Sequence, residues 1–201
     1  NKYNSDKGDQ YACAHYYTII YQEIISNLLY QKVNNNQFDN IDLLEIGLNR
    51  DNNNTIPSLV MWNDYFNNNI NITGFDINNQ FLSFNSKYNN INIIIGDQSN
   101  ENDLKQIKNK LYDIIIDDGS HNQLDVLTSL HALWPKLAVN GIYIIEDTHT
   151  AFWQEWKGGI NSPLNIVAVS SRFVHDVNLQ HMKEPYTPVM RNLRSISYYD
   201  S

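Results

Sequence analysis

The sequence is short of cations, almost free of cysteine and without a long apolar run, and each shortage excludes a class of protein. Lys and Arg number 14 against 22 Asp and Glu, a formal charge of −8, and no basic run occurs. Phosphate neutralisation needs clustered cations, so no nucleic-acid partner is expected. The single cysteine, Cys13, cannot pair within the chain. The fold must therefore stand without disulfides, and a reducing, cytoplasmic setting is expected. No apolar stretch approaches the roughly 18 residues of a spanning helix, and no signal-peptide pattern opens the chain, so no membrane partner is expected. Neither an internal repeat nor a linker divides the 201 residues, which suit one domain. Apolar residues make up 42%, enough for a sizeable core. Asparagine, by contrast, is over-used: 31 residues, in runs such as 34–36, 52–54 and 67–69. Such runs suit loops, and their abundance reads as compositional bias.

A rhythm of short apolar runs organises the chain: Ile41–Ile46, Ile70–Ile77, Ile91–Ile95, Tyr112–Ile116 and Gly141–Ile145. Isoleucine-rich runs with little alternation suit strands buried on both faces of a parallel sheet. Between them, Leu124, Leu127, Leu130, Leu133 and Leu137 recur at helical spacing, and Tyr17, Ile20, Tyr21, Ile24, Ile25 and Leu28 form a similar face ahead of the first run. The apolar face at Tyr17–Leu28 suits a second copy of the chain as well as the core, which leaves a homo-oligomer open. Alternating strand and helix predict an α/β fold with a doubly wound, mostly parallel, Rossmann-like sheet.

In such a sheet ligands bind beyond the carboxyl ends of the strands, so the residues after each run carry the chemistry. Those positions hold Glu45 and Gly47, Asp76, Gly96 and Asp97, Asp117 to His121, and Glu146 with Asp147. Helix capping accounts for one or two of these carboxylates but not for all. Asp76 is placed to accept ribose hydroxyls and Asp97 an adenine amino group; with Glu45 and Gly47 they outline an adenosine pocket. The text after Gly47 supplies no further glycine for a dinucleotide fingerprint, and no P-loop occurs. An adenosine ligand without a pyrophosphate fits better, S-adenosylmethionine first among them.

Asp118 and the pair Glu146-Asp147 close consecutive apolar runs. If those runs are neighbouring strands, three hard oxygen ligands converge, a set for Mg²⁺ or a similar divalent cation. His121, on the loop of Asp118, is then a general base beside the metal. The remaining histidines, His15, His131, His149, His175 and His181, read as solvated or capping residues, with His149 close enough to Glu146 to support it. Phe152, Trp153 and Trp156 are either packing or the wall of an acceptor pocket. A D-x-D-G-[ST] phosphatase motif is excluded because position 116 is Ile.

The string IIIDDGSHNQLDVLTSLHALWPKL (114–137), with GIYIIEDTHTAFW (141–153), resembles the metal-dependent O-methyltransferases of macrolide sugar tailoring, the macrocin and mycinamicin type, whose motifs are shared with proteins called cephalosporin hydroxylases. DLLEIGL (42–48), TGFDI (73–77), SDKGDQYACAHYYTIIYQEII (5–25) and FVHDVNLQH (173–181) are similar to further segments of that family. The resemblance implies S-adenosylmethionine as donor, Asp118, Glu146 and Asp147 as metal ligands, His121 as the base, and Glu45, Gly47, Asp76 and Asp97 as donor contacts. It adds Lys7, His15 and Tyr16, closing over the donor's methionine end. It further implies one methyltransferase domain over 1–201: a helical lid in 1–40, a donor-binding half in 41–100 and a metal and acceptor half in 101–201. The Asn-rich text after Gly47 departs from the family's small residues, and 201 residues leave no space for the additional N-terminal domain of the macrolide enzymes. Ser195–Ser201 is expected as the penultimate strand, with the final strand missing. The activity implied is O-methylation of a small sugar-like hydroxylated acceptor. Two other classes compete: a hydroxylase or redox enzyme on the same scaffold, and a non-catalytic nucleoside-binding module.

Overall fold

The computed structural model describes Lys7 and residues 17–34, 40–48, 55–183 and 190–199. Cys13, His15 and Tyr16 lie outside the described residues. Five strands, β1 (Ile41–Ile46), β2 (Ile70–Asp76), β3 (Ile91–Ile95), β4 (Tyr112–Asp117) and β5 (Leu137–Ile145), form one sheet in the order β3-β2-β1-β4-β5. Every neighbouring pair is parallel. The strand order reverses between β1 and β4, which puts the ligand crevice at their carboxyl ends.

Both faces of the sheet are covered, which is why the strands read as continuous apolar runs. Leu43, Ile72, Ile114 and Ile116 pack on one face with α1 (Tyr17–Asn34) and α2 (Pro57–Tyr65). Leu44, Ile46, Phe75 and Ile115 pack on the other, with Leu104 of α3 (Glu101–Leu104) and Leu133 of α4 (Gln123–Leu133). A third cluster joins α4 to α5 (Ile166–Ser171), α6 (Phe173–Val177) and Met190. Among the described residues no helix is long and apolar enough to cross a membrane.

Several boundaries differ from the sequence reading. Pro135 ends α4 through a short 3₁₀ turn, Trp134–Lys136, so Leu137 opens β5 and is not on the helix. The buried stripe of α4 runs through Gln123, Val126, Ser129, Leu130 and Leu133, while Leu124 is exposed. Ile77 falls outside β2 and is 71% exposed. Residues 195–199 form no strand. Ile196 packs instead on the third cluster, and the Tyr198 hydroxyl pairs with Ser170 Oγ at 2.7 Å, contacts that hold the segment away from a sheet position.

The asparagine excess does structural work that a bias reading overlooks. Asn78, Asn100, Asn122 and Asn165 each cap a helix or 3₁₀ turn, their side chains accepting from backbone N–H groups that lack an internal partner. Asn67, Asn68, Asn140 and Asn192 take left-handed backbone angles, which Asn tolerates better than most residues.

Gly47 ends β1 at φ +82°, and a Cβ there would lie 2.1 Å from the Asp118 carbonyl oxygen. Beyond the donor contact expected of it, this glycine admits the backbone of the loop after β4. We predict that Gly47→Ala lowers unfolding free energy by about 2–3 kcal/mol, combining left-handed strain with the backbone displacement. Gly159→Ala, strained at φ +133° with nothing within 4 Å, is the control. Denaturant unfolding should show the larger loss for Gly47→Ala; equal losses would mean that the approach to Asp118 costs nothing.

Candidate functional site

The carboxyl ends of β1, β4 and β5 bring four carboxylates together: Glu45, Asp118, Glu146 and Asp147. Parallel register sets the last two, because Asp117 pairs with Ile145 and the Glu146 N–H donates to the Asp117 carbonyl at 3.0 Å. The Lys7 ammonium sits among them, 2.9 Å from Asp118 Oδ2, 2.5 Å from Glu146 Oε1 and 3.7 Å from Glu45 Oε1. Lys7 is 1% exposed. Burial acts most strongly on it and works to discharge it, but Asp118, Glu146 and Glu45 together overcome that and hold its pKa well above the ordinary lysine value. Glu146 is shifted upward by burial, then by the charge of Asp118, with Lys7 opposing.

Helix α1 supplies two hydroxyls to the same place. Tyr21 donates to Glu146 Oε1, and Tyr17 donates to Asp147 Oδ1 at 2.8 Å while accepting from the Asp147 N–H at 3.3 Å. Burial, followed by the neighbouring carboxylate, raises both phenol pKa values. The sequence reading placed these tyrosines on an apolar face. Their rings are indeed buried there, but one turn of helix also aligns their hydroxyls over adjacent residues of one loop. A tyrosine at each of two positions four apart on an otherwise aliphatic stripe was the available signal.

Asp118, His121 and Asp147 face one another with one candidate ligand atom from each, all within 4.8 Å. His121 Nε2 lies 3.6 Å from Asp147 Oδ2 and 4.0 Å from Asp118 Oδ1. His121 and Asp147 both hold left-handed backbone, at φ +56° and +51°. Such strain persists only where the surroundings over-determine it, and it clusters at functional sites. Here the His121 carbonyl accepts from Gln123 Nε2 at 3.1 Å and Thr150 Oγ1 at 3.4 Å, while Tyr17 pins Asp147. Trp156 packs edge-on against the imidazole, with centroids 5.9 Å apart, and His149 packs against Trp153 at 4.9 Å. Phe152 and Trp153 stay about half exposed beside them.

The remaining site residues line the ends of β1 to β3. Glu45 is fully buried, its Oε2 accepting from Trp62 Nε1 at 2.8 Å, while Oε1 makes no hydrogen bond and faces Lys7. Asp76 accepts from the Leu48 N–H at 2.9 Å and the Asn78 N–H at 2.7 Å, joining the turns after β1 and β2. Asp97 accepts from Ser99 N and Oγ at 2.8 and 2.7 Å, which fixes the turn after β3. Lys7, expected at the donor's methionine end, contacts Glu45 there and Asp118 and Glu146 beside it. The structure thus gathers Lys7, Glu45, Asp118, His121, Glu146 and Asp147 in one space, with Asp76 and Asp97 along the crevice edge.

The carboxylates of Asp118 and Asp147, with Glu146 adjoining, are the oxygen donors that a hard divalent cation takes, and the His121 imidazole stands beside them. Comparison with known proteins supports that chemistry. No protein-family model matches the chain. Demethylmacrocin O-methyltransferase of Streptomyces fradiae is 35% identical over 132 residues, covering 64% of this chain and 32% of that protein. Mycinamicin VI 2''-O-methyltransferase of Micromonospora griseorubida is 34% identical over 119 residues, 54% of this chain and 30% of that protein. The chain thus spans about a third of the length of these curated relatives. Among solved structures, the methyltransferase MycE of the mycinamycin biosynthetic pathway, in complex with Mg and SAH, superposes with a TM-score of 0.75 at 27% identity, over 94% of this chain and 46% of MycE. A second MycE complex, with Mg, SAH and mycinamycin VI, gives 0.75 at 26% identity over 93% and 46%. In both sequence and fold, this doubly wound α/β chain is similar to sugar O-methyltransferases of the macrocin and mycinamicin type.

Proposed function

We propose that the chain carries the catalytic centre of an S-adenosylmethionine-dependent, divalent-metal-dependent O-methyltransferase acting on a hydroxyl of a sugar-like acceptor, in the cytoplasm. The observation that carries this reading is the meeting of Asp118, His121 and Asp147 at the ends of β4 and β5, with two of the three in strained backbone. MycE, similar over almost the whole of this chain, was solved with Mg, SAH and mycinamycin VI.

Asp118 and Asp147 would hold the cation, with Glu146 as the third carboxylate once its contacts to Lys7 and Tyr21 adjust. When bound, such a cation lowers the pKa of an acceptor hydroxyl, and the sulfonium donor offers an electrophilic methyl group. His121 Nε2 takes the acceptor's proton, and Asp147, 3.6 Å away, stabilises the imidazolium that results. Tyr17 holds Asp147 in place for both tasks. Asp76 and Asp97 receive the donor's ribose and adenine, with Glu45 and Gly47 toward the methionine end, where His15 and Tyr16 are expected to close. Trp156 braces the imidazole, and the exposed rings of Phe152 and Trp153 offer a sugar the apolar surface it needs. Much of the rate then comes from holding oxygen and methyl at near-attack distance.

Incubation with S-adenosylmethionine, Mg²⁺ and a panel of rhamnosyl and related glycosides tests the reading by mass spectrometry; gain of one methyl group on a sugar hydroxyl is expected. His121→Ala should lower turnover by about 10²–10⁴-fold, the usual worth of a positioned base, with SAH affinity nearly unchanged. A variant as active as the parent removes His121 from the chemistry. Chelation should abolish transfer and added Mg²⁺ restore it, whereas activity indifferent to chelator rules the metal out. Tyr17→Phe should weaken metal affinity by about 10-fold through the loss of a hydrogen bond to a ligand; calorimetric titration with Mn²⁺ reads the change, and an unaltered constant would leave Tyr17 a packing residue.

A further inference from the structure

Gln98 lies outside the carboxylate cluster, and its side chain links the turn after β3 to β4, to α4 and to the loop after β4. It is buried, at 7% exposure, three residues beyond the end of β3. β3 and β4 are not neighbours, since β2 and β1 lie between them. Gln98 nevertheless reaches β4: its Nε2 donates to Asp117 Oδ1 at 2.7 Å and to Ser129 Oγ of α4 at 3.1 Å. Its Oε1 accepts from the Ser120 N–H at 2.8 Å. Both kinds of amide function are therefore used. Ser129 Oγ in turn donates to Asp117 Oδ2, closing a buried network of three side chains.

Two further observations show that the loop after β4 is shaped around this amide. A Cβ on Gly119 would lie 2.1 Å from Gln98 Oε1, so the close approach requires glycine at that position. Ser120, whose N–H the amide holds, immediately precedes His121 in its left-handed conformation. At the other end the turn of Gln98 is fixed by Asp97, which accepts from Ser99 and donates its N–H to Asp103 Oδ2 at 2.9 Å. One side-chain amide thus spans from the turn assigned to the donor to the loop assigned to the base.

We propose that Gln98 is a positioning residue: its amide sets how the loop leaves β4, and so where Asp118 and His121 stand relative to the turn of Asp97. The functional part of this inference rests on the methyl-transfer reading above; the structural part does not. Substrate and cation need not touch Gln98. It acts through the Ser120 peptide on one side and Asp117 on the other. Burying the Asp117 carboxyl is tolerated because Gln98 and Ser129 supply donors to both of its oxygens.

The test compares Gln98→Ala, Gln98→Glu and the double variant Gln98→Glu/Asp117→Asn in the full chain. Q98E keeps an acceptor for Ser120 but sets a carboxylate against Asp117; D117N then returns a donor to that contact with the polarity reversed. Amide hydrogen exchange without donor, metal or acceptor gives the first readout. Faster exchange at 118–121 is expected in both single variants, with β1 and β4 unchanged, and recovery in the double variant. Steady-state kinetics gives the second: kcat falling by about 100-fold with KM for S-adenosylmethionine held within about 3-fold, and at least about 10-fold of the loss regained in the double variant. Unaltered exchange at 118–121 in Q98A overturns the proposal. So does a loss confined to donor KM, which would make Gln98 a direct donor contact, or a double variant no better than Q98E, which would make the network ordinary packing. Should Q98A fail to fold, Q98E against the double variant decides the same question. Should the parent transfer no methyl group, the functional reading fails, while exchange at 118–121 still decides whether Gln98 fixes the loop.

Discussion

Four carboxylates share one nearly dry space at the crevice of the sheet, and the rest of the architecture is arranged around their charge. Ionised carboxylates brought so close in a low-dielectric interior must be compensated, or they take up protons. Lys7 supplies one positive charge to Glu45, Asp118 and Glu146. Trp62, Tyr21 and Tyr17 supply donors to Glu45, Glu146 and Asp147. The two tyrosine contacts tie α1, which packs on one face of the sheet, to the residues just after β5. They leave Asp118 and Asp147 turned toward His121, with one candidate ligand atom from each of the three within 4.8 Å of the others.

Strain and support are paired at the same point. His121 and Asp147 occupy left-handed backbone, which polar side chains tolerate but do not prefer. Each is held by groups from other elements: Gln123 and Thr150 at His121, Tyr17 at Asp147. Gly47 and Gly119 allow the neighbouring turns to close to within contact of this loop. The site is therefore built by packing and does not depend on a single flexible segment.

The sheet was legible because its strands are buried on both faces, which writes them as short isoleucine runs. The clustering of the carboxylates was legible because open α/β sheets place chemistry at strand ends, and each acid stood within or just beyond the last two residues of a run. What escaped reading depended on pairs of residues distant in sequence. Tyr17 and Tyr21 look like core until their hydroxyls meet Asp147 and Glu146, about 130 and 125 positions away. Gln98 carries no sequence signal, since its value lies in meeting Asp117, Ser120 and Ser129 across two intervening strands. The glycine at 47 was visible, but not that the Asp118 backbone would be what approached it. Leu137 kept the helical spacing of its neighbours, and Pro135 proved the stronger signal. No strand forms over 195–199, because apolar residues at alternate positions fit a packed extended segment as well as a sheet edge.

A crystal structure of the full chain grown with Mn²⁺ and SAH tests the central claim most directly. The account predicts one anomalous peak bounded by the carboxylates of Asp118 and Asp147, with His121 Nε2 facing the acceptor side of the ion. Density at another place, or Asp118, Glu146 and Asp147 all engaged by Lys7, Tyr21 and Tyr17 with no ion at saturating Mn²⁺, would contradict it.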